Sequence, residues 1–245
     1  MIFVGTLESG EGDFKECCLA IQQQKFVEPL HKAICGLPEK EAHNELWKTW
    51  EEIKKKEPTC HLFVKVDADT VLAHDEVLWD IFNLFAANQR LTGVQAYIKD
   101  FYTDEFIYGL NCFSREVVFN ETKDPLMCDR NVDTNHDVVL RGNELPASLN
   151  PAALHCYHSN ELQSFHYGLH RSLKGQKDIL AKVKRAWLKH GDDRRMWALL
   201  GDKFSYCFDK KSGFNYGDKK FLEIYEFCKN NLNEFKKEII LNVDR

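Results

Sequence analysis

Short apolar runs alternate with amphipathic segments over the first hundred residues of the chain. The apolar runs predict three strands, at residues 2–6, 31–36 and 62–66, the first of them buried. Apolar residues at helical spacing predict three helices, one capped by Asp13, one over Glu39–Lys56 and one that begins near residue 75. Because strands and helices alternate, the pattern favours a mostly parallel sheet with helices packed against it.

The pattern changes after this regular part. Residues 92–97 predict a fourth strand, and residues 99–135 mix aromatic pairs, turn residues and charges, which indicates short and partly antiparallel strands. Residues 152–157 predict a further strand, and from Ser159 onward the pattern is almost wholly helical. We expect an α/β domain over residues 1–170 and a helical extension over residues 171–245, packed on the same domain.

Composition narrows the class of protein. The chain has 245 residues, 44% of them hydrophobic, which is ample for a packed core. A formal net charge of -5 and a pI near 6.1 argue against a nucleic-acid partner, because such proteins carry a basic excess. Nine cysteines without a C-x-x-C pair, and an N-terminus without a signal-peptide pattern, lead us to expect a reduced, cytoplasmic protein.

The triplet Asp67-Ala68-Asp69 follows the third apolar run directly. Open α/β sheets bind ligands at the carboxyl ends of their strands, and residues i and i+2 of an extended chain face the same side. Two such carboxylates can hold Mn²⁺ or Mg²⁺, which in turn neutralises a diphosphate. A solvated turn is the alternative, since one such triplet is expected by chance, but the preceding strand and the following helix favour the metal site.

Several segments together resemble the family 2 type of GT-A glycosyltransferases. They are Phe3-Val4-Gly5-Thr6-Leu7-Glu8-Ser9-Gly10, then Ala42-His43-Asn44-Glu45-Leu46, then Val64-Lys65-Val66-Asp67-Ala68-Asp69. The resemblance covers roughly residues 1 to 170 and implies a GT-A fold with a Rossmann-like sheet. It also implies a nucleoside diphosphate sugar donor, with a UDP-sugar favoured, and a saccharide or glycolipid acceptor. The nucleotide contacts that it implies are Thr6, Glu8, His43, Asn44, Lys65 and Asp67.

The segment 134–142 resembles the part of this family that carries an aspartate before an apolar helix and an arginine. On that match Asp137 is the general base that deprotonates the acceptor hydroxyl, with inversion at the anomeric carbon. Asp133 is the reserve candidate, and a helix N-terminal charge is the structural alternative for Asp137. The segment 108–115 resembles the part of the family that contacts the sugar, which implies Asn111 and Arg115 as substrate residues.

His155-Cys156-Tyr157-His158 follows a predicted strand, where many GT-A enzymes place a histidine that binds the cation. The resemblance favours His158 as a third ligand beside Asp67 and Asp69, and His155 can take the same role. The cysteine between them raises the alternative of zinc, but no second Cys or His pair lies nearby in sequence.

Residues 171–195 hold nine Lys or Arg against three Asp. Their apolar residues predict an amphipathic helix, which is either a solvated helix or a peripheral membrane contact. The last helix carries an apolar seam over Phe221, Tyr225, Cys228, Leu232 and Phe235 that packs on this domain or on a second copy.

Two other functions stay open at this point. A sugar-phosphate nucleotidyltransferase also holds Mg²⁺ with aspartates, but the acidic Gly10-Glu11-Gly12 loop is unlike its basic phosphate loop. A sugar-binding or nucleotide-binding module that has lost turnover is the non-enzymatic alternative.

Overall fold

The computed structural model describes residues 1–128, 132–209 and 216–241; the side chains of residues 132–134, 240 and 241 lie outside that description. The strands are β1 (Ile2–Glu8), β2 (Pro29–Cys35), β3 (Leu62–Asp67), β4 (Thr70–Leu72), β5 (Gly93–Asp100), β6 (Phe106–Ser114), β7 (Val118–Phe119), β8 (Val132–Thr134), β9 (Val139–Arg141) and β10 (Ala153–His155). The α-helices are α1 (Phe14–Gln22), α2 (Glu39–Lys56), α3 (Val77–Ala87), α4 (Glu161–Leu173), α5 (Lys177–His190), α6 (Asp193–Lys203), α7 (Lys219–Asn230) and α8 (Leu232–Leu241).

Eight strands form one mixed sheet in the order β2-β1-β3-β6-β5-β10-β4, with β9 beside β5. The pairings of β1 with β2 and β3, and of β5 with β9 and β10, are parallel. β6 and β4 run against their neighbours, so the sheet is mostly parallel. This arrangement fits a GT-A-like fold, as the sequence predicted.

Both faces of the sheet are covered by apolar layers. Ile2, Val4 and Val64 belong to one buried cluster, whereas Phe3 and Phe63 belong to another that includes Trp50 of α2. The alternation follows from the period of two in a strand, which sends successive side chains to opposite faces. Because both faces are buried, the inner strands read as continuous apolar runs.

The chain divides into two compact units, which we describe separately. The first comprises Met1–Phe101 and Glu105–His158, and the second comprises Tyr102–Asp104 and Ser159–Arg245. Within the second unit, α4 packs along α6. The domain bounds predicted from the sequence, 1–170 and 171–245, stay a prediction.

Helices α4 and α6 cross at very short range within the second unit. A Cβ atom added to Gly168 would lie 1.7 Å from the carbonyl oxygen of Ala198, and one added to Gly201 would lie 2.0 Å from that of Phe165. The two backbones therefore touch, and glycine is required at both positions.

The basic stretch 171–195 forms the end of α4, all of α5 and the start of α6, and is helical as its pattern predicted. Leu180, Val183 and Trp187 are buried in its own unit, while Leu188 is exposed. The seam of the last helix is divided between α7 and α8, and Phe221 and Tyr225 pack on Phe165 of α4. Within the described ranges, the helices are too short or too polar for any of them to span a bilayer.

Candidate functional site

The carboxyl end of β3 lies beside a short antiparallel pairing that the sequence did not predict. β4 pairs with β10 so that Thr70 faces His155, and the amide of Cys156 donates to the carbonyl of Asp69 at 2.8 Å. Cys156 has a left-handed φ of 62°, which is uncommon for a residue with a Cβ and marks a sharp turn after β10. The turn brings the side chains of His155 and Cys156 to Asp69.

Three side chains converge there, and we call them the Asp69–His155–Cys156 centre. The distance from His155 Nε2 to Asp69 Oδ2 is 3.4 Å, and that from Cys156 Sγ to the same oxygen is 3.3 Å. Cys156 Sγ also lies 3.4 Å from His155 Nε2. The three potential ligand atoms all lie within 4.8 Å of one another, which is close enough to hold one cation.

Asp100, at the end of β5, orients the histidine of this centre. Its side chain is fully buried, and its Oδ1 lies 2.7 Å from His155 Nδ1. A carboxylate can only accept at this contact, so Nδ1 carries a hydrogen and Nε2 faces Asp69. Protein metal sites commonly use this carboxylate–histidine arrangement to fix the ring and raise its basicity.

Burial and neighbouring charges shift the pKa values of both His155 and Cys156 in this centre. Burial alone would lower the pKa of His155, but Cys156, Asp69 and Asp100 outweigh it and raise that pKa well above its usual value. Burial, with the charge of Asp69, raises the pKa of the Cys156 thiol well above its usual range. Without a cation, the thiol is therefore protonated and donates to Asp69, and the imidazole also keeps a proton on Nε2. A cation such as Mn²⁺, which suits imidazole nitrogen and carboxylate oxygen, would bind there by displacing that proton.

A second group of acidic side chains lies in the loop between β1 and α1. Burial raises the pKa of Glu11 to about 7, and the charge of Asp69 adds to that effect. Burial also raises the pKa of Asp13, with a smaller contribution from Asp69. Asp13 is fully buried, and among the described residues nothing hydrogen-bonds its Oδ2 atom. Carboxylates in such a setting favour a cation close by.

His158 binds Asp13 rather than Asp69 in this structure. Its Nδ1 atom and its backbone amide each lie 2.8 Å from Asp13 Oδ1. The imidazole is largely exposed, with 64% of the side chain accessible. Of the two histidines that the sequence left open, His155 is therefore the one that the structure brings to Asp69.

Asp67, the first carboxylate of the triplet, is paired with a buried lysine of the same strand. Lys65 Nζ lies 2.6 Å from Asp67 Oδ1, and 46% of the Asp67 side chain stays accessible to a ligand. Lys65 is opposite Asn111 on β6, and Gln95 donates to Asn111 Oδ1 at 3.1 Å. Lys65, Asp67 and Asn111 thus lie on one connected part of the sheet.

The other residues predicted to contact the nucleotide have internal contacts. Thr6 Oγ1 lies 3.0 Å from His31 Nε2, and Glu8 accepts from the amide of Gly10 at 2.6 Å. His43 Nδ1 lies 2.8 Å from the carbonyl of Glu39. The side-chain Nδ2 of Asn44 donates to the carbonyl of Thr122 at 3.1 Å, and its Oδ1 accepts from the amide of Thr122 at 2.7 Å. Their contacts with a nucleotide remain predictions.

Asp137 lies at the opposite end of the sheet. Val138, the next residue, bonds with Thr92 and Gly93 at the amino end of β5. β9 pairs with Gly93–Gln95, whereas β10 pairs with Ile98–Asp100, so roughly 20 Å of strand separates Asp137 from the Asp69 centre. The helix that we predicted after Asp137 is wrong, because β9 occupies that position. The side chain of Asp133 lies outside the described residues.

Arg115 also lies at that opposite end. Its guanidinium donates to the carbonyls of Glu57 at 3.2 Å, of Cys60 at 2.7 Å, and of Lys54. These carbonyls are at the end of α2 and just before β3. The structure thus places Arg115 on the backbone that leads into β3, and it does not bring Arg115 to Asp69.

No protein-family model and no curated protein matches the chain. Among solved structures, the chain is similar to the mannosyltransferase PcManGT from Pyrobaculum calidifontis, in complex with GDP-Man and Mn²⁺. The match covers 99% of this chain and 84% of that chain, at 11% identity and a TM-score of 0.41. A likeness of this size carries no conclusion about ligands, so we base the function on the geometry and the motifs.

Proposed function

We propose that the chain is a metal-dependent glycosyltransferase that uses a nucleoside diphosphate sugar as donor. The observation that carries this proposal is the convergence of Asp69 and His155, with Asp100 behind the histidine, at the carboxyl ends of β3, β5 and β10. That position is where open α/β sheets bind nucleotides. The resemblance of the 62–69 segment to family 2 enzymes supports the same conclusion.

Each residue of the proposed site has a part in positioning the donor. Asp69 and His155 Nε2 would bind Mn²⁺ or Mg²⁺, Asp100 would keep the imidazole in the right orientation, and the accessible Asp67 would face the donor beside Lys65. Bound there, the cation would stabilise the charge that develops on the departing diphosphate. A UDP-sugar is our favoured donor and a saccharide or glycolipid our favoured acceptor, both by family resemblance.

The experiment measures nucleotide release from a panel of UDP- and GDP-sugars, with Mn²⁺ and with a chelator. We expect release that depends on the metal and that falls about 100- to 1,000-fold in Asp69→Asn, the range seen when a group that stabilises developing charge is removed. Asp178→Asn, an exposed aspartate on α5, is the matched control and should keep the wild-type rate. Release that is independent of metal and survives Asp69→Asn would overturn the proposal.

The position of Asp137 favours a second candidate, a nucleotide-sugar-binding module without turnover. In the described structure the residue predicted as the base does not reach the centre. This candidate predicts that calorimetry detects Mn²⁺-dependent binding of a nucleotide sugar while no nucleotide is released with any acceptor tested.

A further inference from the structure

A second group of metal-ligating side chains shares no residue with the Asp69–His155–Cys156 centre. It consists of Glu39 and His43 on α2 and Cys128 at the end of the 120–128 loop, with potential ligand atoms all within 4.8 Å of one another. His43 is 4% exposed and Cys128 is fully buried, while Glu39 is partly exposed. Two of the three side chains are therefore buried, and the glutamate is the partly exposed member of the group.

Helix geometry sets two of these side chains on one face. Glu39 and His43 are four residues apart in the first turns of α2, and residues at this spacing are neighbours on a helix surface. His43 Nδ1 lies 2.8 Å from the carbonyl oxygen of Glu39, which can only accept. In the neutral ring the hydrogen is therefore on Nδ1, and Nε2 keeps the lone pair that a metal needs.

The loop that carries Cys128 is fixed to the same helix. Asn44 binds both backbone groups of Thr122, and the Thr122 hydroxyl donates to the carbonyl of Cys128 at 2.8 Å. Asp124 closes the turn by accepting from the amide of Leu126 at 2.8 Å. These hydrogen bonds hold the backbone of Cys128 beside the start of α2. In the absence of a metal, the Cys128 thiol donates to the carbonyls of Asp124 at 3.2 Å and Pro125 at 3.4 Å.

We propose that Glu39, His43 and Cys128 form a zinc site that fastens the 120–128 loop to the start of α2. One carboxylate oxygen, one imidazole nitrogen and one sulfur are donors typical of Zn²⁺ and unlike the all-oxygen sets of Mg²⁺. A water molecule completes four-coordination on the open side. As the zinc–sulfur bond forms, the Cys128 thiol releases its proton to solvent.

The zinc site has its own test, although His43 is also a residue that the family resemblance places near the nucleotide. Because Cys156 could also supply a sulfur, every arm uses full-length protein carrying Cys156→Ser. The protein is stripped with a chelator and titrated with Zn²⁺ against a chromophoric competitor. Co²⁺ is then added in place of Zn²⁺, because bonding to sulfur gives a charge-transfer band that oxygen and nitrogen ligands do not.

We expect the Cys156→Ser protein to bind Zn²⁺ and to show the cobalt–sulfur band. A second Zn²⁺ held by Asp69 and His155 would give no such band. Adding Cys128→Ser should abolish the band and weaken zinc at least about 100-fold, more than the loss of an outer hydrogen bond costs. Adding Cys60→Ser, which alters another buried thiol, should change neither readout. Glu39→Gln gives a second variant at a partly exposed position, with an expected loss of affinity of at least about 10-fold.

Two results would overturn the proposal. One is a Cys156→Ser protein that binds no zinc, which would make the cluster a buried hydrogen-bonded group. The other is a cobalt–sulfur band and a zinc affinity that both stay unchanged after Cys128→Ser and Glu39→Gln are combined. Circular dichroism of each variant separates a lost ligand from a lost fold.

Discussion

The two ends of the central sheet carry polar residues of similar kinds that do very different things. At the carboxyl end, Asp69, His155 and Asp100 meet within hydrogen-bonding range and are largely buried. At the amino end, Arg115 binds backbone carbonyls and Asp137 is exposed. The strand end at which a charged residue emerges therefore decides whether it lies near the edge where open α/β sheets bind their ligands.

The largest difference between the two ends of the sheet should appear when the negative charge of Asp100, which contacts His155, is removed. We predict that Asp100→Asn weakens Mn²⁺ binding about 10- to 100-fold, because the buried carboxylate no longer fixes and polarises His155. Isothermal titration with Mn²⁺ measures the effect, and Asp178→Asn serves as the unaffected control. An unchanged dissociation constant would mean that His155 does not bind the cation.

The amino end should respond in stability and not in metal binding. Arg115→Ala removes a guanidinium that donates to three carbonyls, so we expect the free energy of unfolding to fall by about 1–3 kcal/mol. Urea denaturation measures it, with the exposed Arg90→Ala as the matched control. We expect Mn²⁺ affinity to be unchanged. A large loss of affinity without a loss of stability would return Arg115 to the ligand site.

The pH dependence of stability tests whether Glu11, near the carboxyl end of the sheet, has a raised pKa. Its pKa in the folded protein, about 7, lies above the ordinary value of 4.5, so the fold is favoured by the neutral form. That contribution is fully present below about pH 4.5 and is lost as the pH rises through about 7. With a chelator present, Glu11→Gln should therefore match wild type at about pH 5 and exceed it by about 1–2 kcal/mol at about pH 8. Equal stability of the two proteins at the higher pH would contradict the raised pKa.

The smallest effect is expected at Asp137. Because its side chain is exposed and distant from Asp69, Asp137→Asn should alter nucleotide release by less than about two-fold and stability by no more than about 0.5 kcal/mol. Initial rates and urea denaturation check both values. A loss as large as that of Asp69→Asn would restore Asp137 as the base and would require a different arrangement of this end of the sheet.

Local patterns predicted the sheet and its first helices well. The helix over Glu39–Lys56 has the predicted bounds, and the strands predicted at 31–36 and 62–66 shift by one or two residues. These elements are fixed by apolar periodicity within one segment, which a single sequence displays directly. The strand end at Asp67 could be predicted for the same reason.

The sequence could not supply contacts between distant segments. Asp100 was not among the predicted site residues, because its role depends on a pairing of β5 with β10 across 55 positions. Three-residue β4 was missed since so short a run has no clear period. The choice of His155 over His158 depends on the left-handed turn at Cys156, a backbone conformation that its side chain does not favour.

The crossing of α4 and α6 offers a way to recognise related chains whose overall sequences have diverged. A methyl group at Gly168 or Gly201 would overlap the facing backbone. Related chains whose helices keep this spacing should therefore have glycine at both positions. A chain that retains the two glycines 33 positions apart is expected to share the helical architecture, and one that has replaced either must hold its helices farther apart.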